Sequence, residues 1–428
     1  MQFIVQSGTF LKAISPVIEV ACKSVDKTFD SAFKLTIDAS EKGITATSFG
    51  GKVAIDADIS EFTVEDLNYK FISKGKITVN AQKLSAALAS FDFEEEVVFN
   101  VKNIENSGKD LYILKLSDKE EYQTLSCFID DVIVPAKATK FIKKMTISRN
   151  TFLSSVKRVY FAIGFEADMA RYMHWVLRTD KDKISFAAGS GARFAILELR
   201  GKNIAQVTPE KSTFLFPKDH TNILVNVLSS SSQDDIIISQ SDASEEKVPY
   251  QIVVNLGLYN VTLVGMNASI KWIDESKLLN VDYDYKVITK ISDWAYVGKA
   301  VLATVDDQLK QERRPHKAFF NFDMKKNVLV VKTSDSMKSH RKVNIVSSDV
   351  KGTSPKEITS MALYFSEIPA CINDPDGYCQ VEFNKPENPV IVRYYASDQI
   401  QDKDKLVKQN TFASVDESFT MFFATLNE

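Results

Sequence analysis

Apolar and polar positions change period at regular intervals along the chain. A short β segment opens it at Phe3-Ile4-Val5-Gln6, and helical spacing follows from Ser7 through Phe10, Leu11 and Ile14. Met145 to Val156 repeats the change: Thr9-Phe10-Leu11 matches Thr151-Phe152-Leu153, Ile14 answers to Val156, and Val5 to Ile147. A weaker third copy runs from Val281 to Ile291. Each copy predicts a strand leading through a Ser, Asn or Asp cap into a helix. Period two presents one face of a strand, and period 3.6 one face of a helix.

The repeat continues downstream. Leu35–Ile55, Val176–Ile196 and Phe320–Ile345 each read as strand, polar turn, strand, turn, strand. A second strand-plus-helix unit follows in each third, at Ile77–Phe91, Phe214–Leu228 and Met361–Ile372. Further strands come after these, such as Val97–Val101, Ile236–Ser239 and Val390–Tyr395. The predicted class is α+β: three repeated domains over 1–143, 144–276 and 277–428, each of two β-α-β-β-β halves, with six short helices in all. Charged stretches at 305–317 and 397–409 break the rhythm and read as exposed loops or short helices.

Phe186-Ala-Ala-Gly189-Ser190-Gly191-Ala192-Arg193-Phe194 raises the question of a phosphate loop. A dinucleotide loop needs a third glycine where a strand gives way to a helix, and Phe194 stands there between strand-like flanks. No Gly-Lys-Ser/Thr occurs either. A hairpin turn fits better. It falls in register with Gly50-Gly51, with Lys52 corresponding to Arg193.

At 428 residues the chain exceeds a single core, which agrees with several domains. The N-terminus lacks a basic region followed by a long apolar run, and no stretch approaches the ~20 apolar residues of a membrane span. A cytoplasmic protein is expected. Cys22, Cys127, Cys371 and Cys379 are scattered, as are His174, His220, His316 and His340, so neither a zinc site nor a disulfide framework is expected, and no cofactor. The net charge of −3 leaves nucleic-acid binding to local charge distribution. No nucleophile elbow, partnered histidine or carboxylate pair marks an enzyme.

Two stretches carry a family likeness. One is Arg171-Tyr172-Met173-His174-Trp175 followed by Gly189-Ser190-Gly191-Ala192-Arg193-Phe194-Ala195, with a Gly-x-Arg-apolar-Ala core. The other is the apolar end Phe419-Thr-Met-Phe-Phe-Ala-Thr-Leu426. With the threefold repeat, they resemble the bacterial-type DNA polymerase sliding clamp, the polymerase III β subunit family. The family's Thr, Asp and His before the arginine are replaced here, and its Met-Pro-Met ending is absent.

The resemblance implies a non-enzymatic processivity factor in DNA replication. It would be a head-to-tail homodimer ring with sheets outside and helices lining the hole. Its partners would be double-stranded DNA without regard to sequence, a replicative polymerase and a clamp loader. Candidate DNA-facing residues on the inner helices are Lys12, Lys23, Lys83, Lys157, Arg158, Lys218, Lys286, Lys290 and Lys299, with Arg171 and Tyr172 in a loop. A peptide pocket would use Met173, Gly191, Arg193, Phe194, Ile273, Tyr364, Pro389 and Leu426, and its changed residues imply a different peptide preference. Phe91, Val301 and Leu302 are candidate ring contacts. Each set has a plain alternative: solvated helix faces for the lysines, and packed core for the apolar residues. A scaffold that kept the fold without encircling DNA is the competing function.

Overall fold

The computed structural model describes residues 1–22, 33–106, 109–130, 132, 134–163, 174–190, 193–201, 204–242, 250–264, 272, 283–303, 317–323, 325–333, 340–351, 358–361, 368, 372, 374–384, 389–396 and 417–423. The chain forms two compact units. The first comprises Met1–Leu153, Ala205–Pro209 and Asp219–Ser269; the second comprises Ser154–Ile204, Glu210–Lys218 and Ile270–Glu428. The strands of the middle third are shared between them, so each unit carries part of that third.

The first unit is built on a 14-stranded antiparallel sheet. One half of it runs β14 (Ala205–Thr208), β10 (Phe141–Ser148), β16 (Asp235–Ser241), β17 (Gln251–Asn255), β18 (Tyr259–Val264) and β4 (Val53–Ile59). It continues through β3 (Gly43–Phe49), β2 (Lys34–Ser40), β6 (Gly75–Asn80), β9 (Tyr122–Phe128), β8 (Lys109–Ser117), β7 (Glu96–Asn106), β1 (Gln2–Gln6) and β5 (Lys70–Ser73). The second unit carries a 12-stranded sheet. Its order is β15 (Ser212–Pro217), β11 (His174–Asp180), β12 (Lys183–Gly189), β13 (Arg193–Arg200), β26 (Glu417–Phe423), β25 (Val390–Tyr395) and β24 (Tyr378–Phe383). It ends with β19 (Tyr285–Lys290), β22 (His340–Val350), β21 (Val328–Thr333), β20 (Lys317–Asp323) and β23 (Ile358–Met361).

The opening repeat folds as its periodicity predicts. β1 buries Phe3 and Val5, and helix α1 (Ser7–Cys22) buries Phe10, Ile14 and Val17. Phe99 of β7 stacks on Phe3 at 4.5 Å and meets Phe10 edge-on at 5.3 Å, contacts worth about 0.5–1.5 kcal/mol each beyond their buried area. Pro16 lies inside α1 and removes a helical donor. Two carbonyls near it, of Ala13 and Val17, accept from the Tyr259 hydroxyl at 2.9 Å and Ser48 Oγ at 2.7 Å, which ties the helix to β18 and β3. Asn80 caps α2 (Ala81–Leu88) by accepting the Lys83 N–H at 3.0 Å.

The second copy becomes β10 and α3 (Arg149–Tyr160), and Phe214–Leu228 becomes β15 and α4 (Lys218–Ser230). The Arg149 guanidinium donates to the carbonyls of Leu228, at 3.2 Å, and Ser231, where α4 ends and its carbonyls lack helical partners. The third copy needs a correction of register. Its strand is β19 (Tyr285–Lys290) and its helix, α5, begins at Ile291 and runs to Ala303, so the strand-to-helix change falls where the copy was expected to end. Among the described residues there are five helices; most of 361–372, where the sixth was expected, lies outside them, as do 305–316 and 397–409.

Candidate functional site

β13 and β26 come from distant parts of the sequence and pair with Arg193 opposite Phe423 and Phe194 opposite Phe422. The turn before β13 is closed by Ser190 N–H donating to the Arg193 carbonyl at 2.7 Å, the hairpin expected from the sequence. The equivalent bond in the first repeat runs from Gly50 N–H to the Val53 carbonyl at 2.8 Å. Arg193 therefore matches Val53, and the expected match to Lys52 is one residue out. Gly189 lies opposite Phe194, and a Cβ there would sit 2.1 Å from the Phe194 ring. Only glycine lets the ring lie flat on this strand.

One face of the second sheet at this junction is apolar: Val176, Ala187, Phe194, Ile196, Ile391 and Phe422 form a buried cluster with Tyr283, and Leu215 and Trp272 pack at its margin. The Phe194 ring stands 5.9 Å from Phe422, nearly edge-on, and 6.2 Å from Trp272. Arg193 reaches away, its guanidinium 5.9 Å from the Phe161 ring centre, within cation–π range. Further along the same face the sheet turns polar. Arg393 Nε donates to Glu382 Oε1 at 2.7 Å, and Gln380 Nε2 donates to the same oxygen at 2.6 Å. The two ionic side chains are 9% and 4% exposed. Burial, with smaller help from Glu382, pushes the Tyr283 hydroxyl up to about 12.

The matching junction in the first unit joins β4 to β18. Strand register superposes Thr36 on Val176, Thr47 on Ala187, Ala54 on Phe194, Asp56 on Ile196 and Thr262 on Phe422. The backbone plan is one; the chemistry is opposite. Polar residues fill the first junction, and aromatic and branched residues the second.

The expected DNA-facing residues divide. Lys12 on α1, Lys83 on α2, Lys157 on α3 and Lys299 on α5 are exposed, each on a helix whose other face is buried. Lys218 opens α4 and is half-buried. Arg158 is half-buried and ion-paired with Glu417, so its charge is already matched. Lys286 and Lys290 are corrections. Both lie on β19 rather than a helix, and Lys286 is 4% exposed because the strand pairs on both sides, with β22 and β24. Lys23, Arg171 and Tyr172 lie outside the described residues.

Of the expected pocket, Arg193 and Phe194 come together on β13, and Pro389 is half-buried just before β25. Met173, Gly191, Ile273, Tyr364 and Leu426 lie outside the described residues. Trp272, Tyr283, Ile391 and Phe422 belong to the cluster and were missed. Ile391 and Phe422 sit in legible strands, but nothing local in the sequence pairs them with Phe194. Phe91 is corrected: it is 8% exposed, part of the first unit's own core, and so offers little to another chain. The exposed aromatic there is Phe93, 60% exposed and packed over Gly8. Val301 and Leu302 lie on α5, and their side chains are outside the described set.

Among the described residues no group of three His, Cys, Asp or Glu side chains could hold a metal ion. Cys22, Cys127 and Cys379 are free thiols, and burial pushes Cys127 up to about 11, away from thiolate chemistry. No described helix is long and apolar enough to cross a membrane.

No protein-family model matches the sequence, and no curated protein does. Solved structures do match. The DNA polymerase sliding clamp of Bacillus subtilis superposes with a TM-score of 0.77 at 12% identity, covering 100% of this chain and 99% of its own. The β subunit from the DNA polymerase of Streptococcus pyogenes gives 0.75 at 14% identity, with 100% of both chains covered. A sliding clamp from Pseudomonas aeruginosa, a DNA polymerase III β subunit bound to griselimycin, gives 0.74 at 14% identity and again covers 100% of both. With its antiparallel sheets and few short helices, this chain has the fold of the bacterial DNA polymerase III β sliding clamps.

Proposed function

We propose that the protein is a DNA sliding clamp: a non-enzymatic, cytoplasmic processivity factor that closes around duplex DNA as a head-to-tail homodimer and tethers a replicative polymerase. The observation that carries this reading is the placement of Lys12, Lys83, Lys157 and Lys299 on the solvent faces of four helices in a chain with the clamp fold. Diffuse cationic faces hold phosphates without reading bases, which is what sliding requires. Domains at 1–143, 144–276 and 277–428 would each supply one third of the protomer, with Val301 and Leu302 at the ring contact. A clamp loader would open the ring.

The β13–β26 junction is the proposed polymerase groove. Its apolar face suits the anchors of a short linear peptide, whereas its counterpart in the first unit does not. Residues 173, 191, 273, 364, 389 and 426 would complete its walls. Since Ala192 and Ala424-Thr-Leu426 replace the family's residues, the favoured peptide differs from the family's.

Reversing Lys12, Lys83 and Lys157 to glutamate tests the DNA-facing assignment. Duplex binding followed by fluorescence anisotropy across a salt series is expected to weaken by at least roughly tenfold and to lose part of its salt dependence, since each lost phosphate contact removes about 0.9 from the slope. Unchanged affinity and slope would favour the scaffold reading, in which the fold is kept without DNA.

A further inference from the structure

The first unit holds a cleft of about 430 Å³ on the polar face of the β4–β18 junction. That volume lies in the range of sites that take small ligands or single side chains. Its floor is the register-matched set Asp38, Thr45, Thr47, Asp56 and Asp58, contributed by β2, β3 and β4. One wall is the stretch of chain ending at Ala138, which crosses the sheet in extended form. Val132 N–H donates to Thr36 Oγ1 at 3.0 Å, Ala138 N–H to Gln251 Oε1 at 3.0 Å, and Gln251 Nε2 to the Ala136 carbonyl at 2.6 Å. The wall is thus fastened at both ends and leaves the floor open between them.

The chain itself shows what the floor accepts. Lys137, on the wall, places its ammonium 2.6 Å from Asp56 Oδ2, while Asp56 Oδ1 accepts the Thr47 hydroxyl at 2.8 Å. The lysine side chain remains 66% exposed, so this internal cation can be displaced. Asp38 and Asp58 are exposed, and their carboxylates have no hydrogen bond or ion pair among the described residues. Lys76, the other cation lining the cleft, leaves three carboxylates facing two ammonium groups.

We propose that this cleft is a second docking site, for an extended peptide segment that inserts a lysine or arginine side chain between Asp38, Asp56 and Asp58, with Lys137 as the internal occupant it displaces. Register gives the site the same place in the first unit that the proposed polymerase groove has in the second. The two would take opposite chemistries, cationic here and apolar there, so one chain could hold two kinds of partner at once. The inference does not depend on encirclement of DNA.

The test uses the full chain with labelled valine and threonine methyl groups and the probe peptide acetyl-Ser-Lys-Ser-Lys-Ser-amide at low salt, followed by methyl NMR. Saturable shifts are expected at Val132, Val134 and Thr47, and none with the norleucine analogue, which keeps the length but lacks the charge. Asp38→Asn with Asp58→Asn, isosteric changes at exposed positions that leave the fold intact, should weaken binding roughly fivefold to tenfold. Lys137→Gln should tighten it several-fold by removing the competitor, an effect that a merely structural lysine would not give. No shift at millimolar peptide, equal shifts with norleucine, or weaker binding in Lys137→Gln would overturn the proposal. So would saturable binding of free spermidine while the peptide stays inert.

Discussion

Replacing Glu382 with glutamine is expected to lower the stability of the second unit by about 3–5 kcal/mol, because it leaves the Arg393 guanidinium charged, buried and unmatched. The shape of the side chain is kept, so the loss reports charge rather than packing. Arg393 gives its Nε and Nη2 to the two Glu382 oxygens, at 2.7 and 3.4 Å, and neither side chain has water to fall back on. In a unit of this size each kcal/mol moves the midpoint by roughly 2–4 °C, so a fall on the order of 10 °C should appear in thermal unfolding. Replacing both partners, Glu382→Leu with Arg393→Met, should restore most of the loss, since an apolar pair of similar volume needs no charge match. A Glu382→Gln midpoint within a degree of the parent would contradict the account of this face.

The second large effect is expected at Phe194. Phe194→Ala removes the ring that bridges Phe422 and Trp272 and leaves a cavity over Gly189, at a cost of about 3–5 kcal/mol. Fluorescence reads the change locally. Trp175 and Trp294 are fully buried, whereas Trp272 is only partly buried, so a red shift of emission would come from Trp272. The same variant should lose stimulation of the polymerase, because anchor residues of the peptide would have no ring to pack on. An unchanged emission maximum with full stimulation would show that the groove lies elsewhere.

Much of the fold was legible because it is written in periods. Phe3, Val5, Phe10 and Ile14 state a strand and a helix within twelve residues, and their copies at Met145 and beyond say it again. Where the period carries no marker, the reading slipped. Val281-Asp-Tyr-Asp-Tyr-Lys-Val alternates from its first residue, yet the strand starts at Tyr285, and Tyr283 is buried outside it in the apolar cluster. Like charge misled at the turn, where Lys52 and Arg193 looked equivalent and the closing hydrogen bond pairs Arg193 with Val53.

The candidate groove was half visible for a different reason. Arg193 and Phe194 share a motif, but their neighbours Ile391 and Phe422 reach them only through sheet pairing between distant strands. The opposed polarity of the two junctions also needs register before it can be seen: nothing local marks Asp56 as the counterpart of Ile196. Lysines posed the reverse problem. Composition gives Lys286 and Lys299 the same meaning, and only the pairing of β19 on both sides removes Lys286 from the surface.

The central claim is a closed ring, and projection imaging of the purified protein at micromolar concentration by electron microscopy tests it most directly. The account predicts hollow particles, each of two chains by mass, with a central hole wide enough for duplex DNA. Compact particles without a hole, whether alone or mixed with circular duplex and loader, would contradict it.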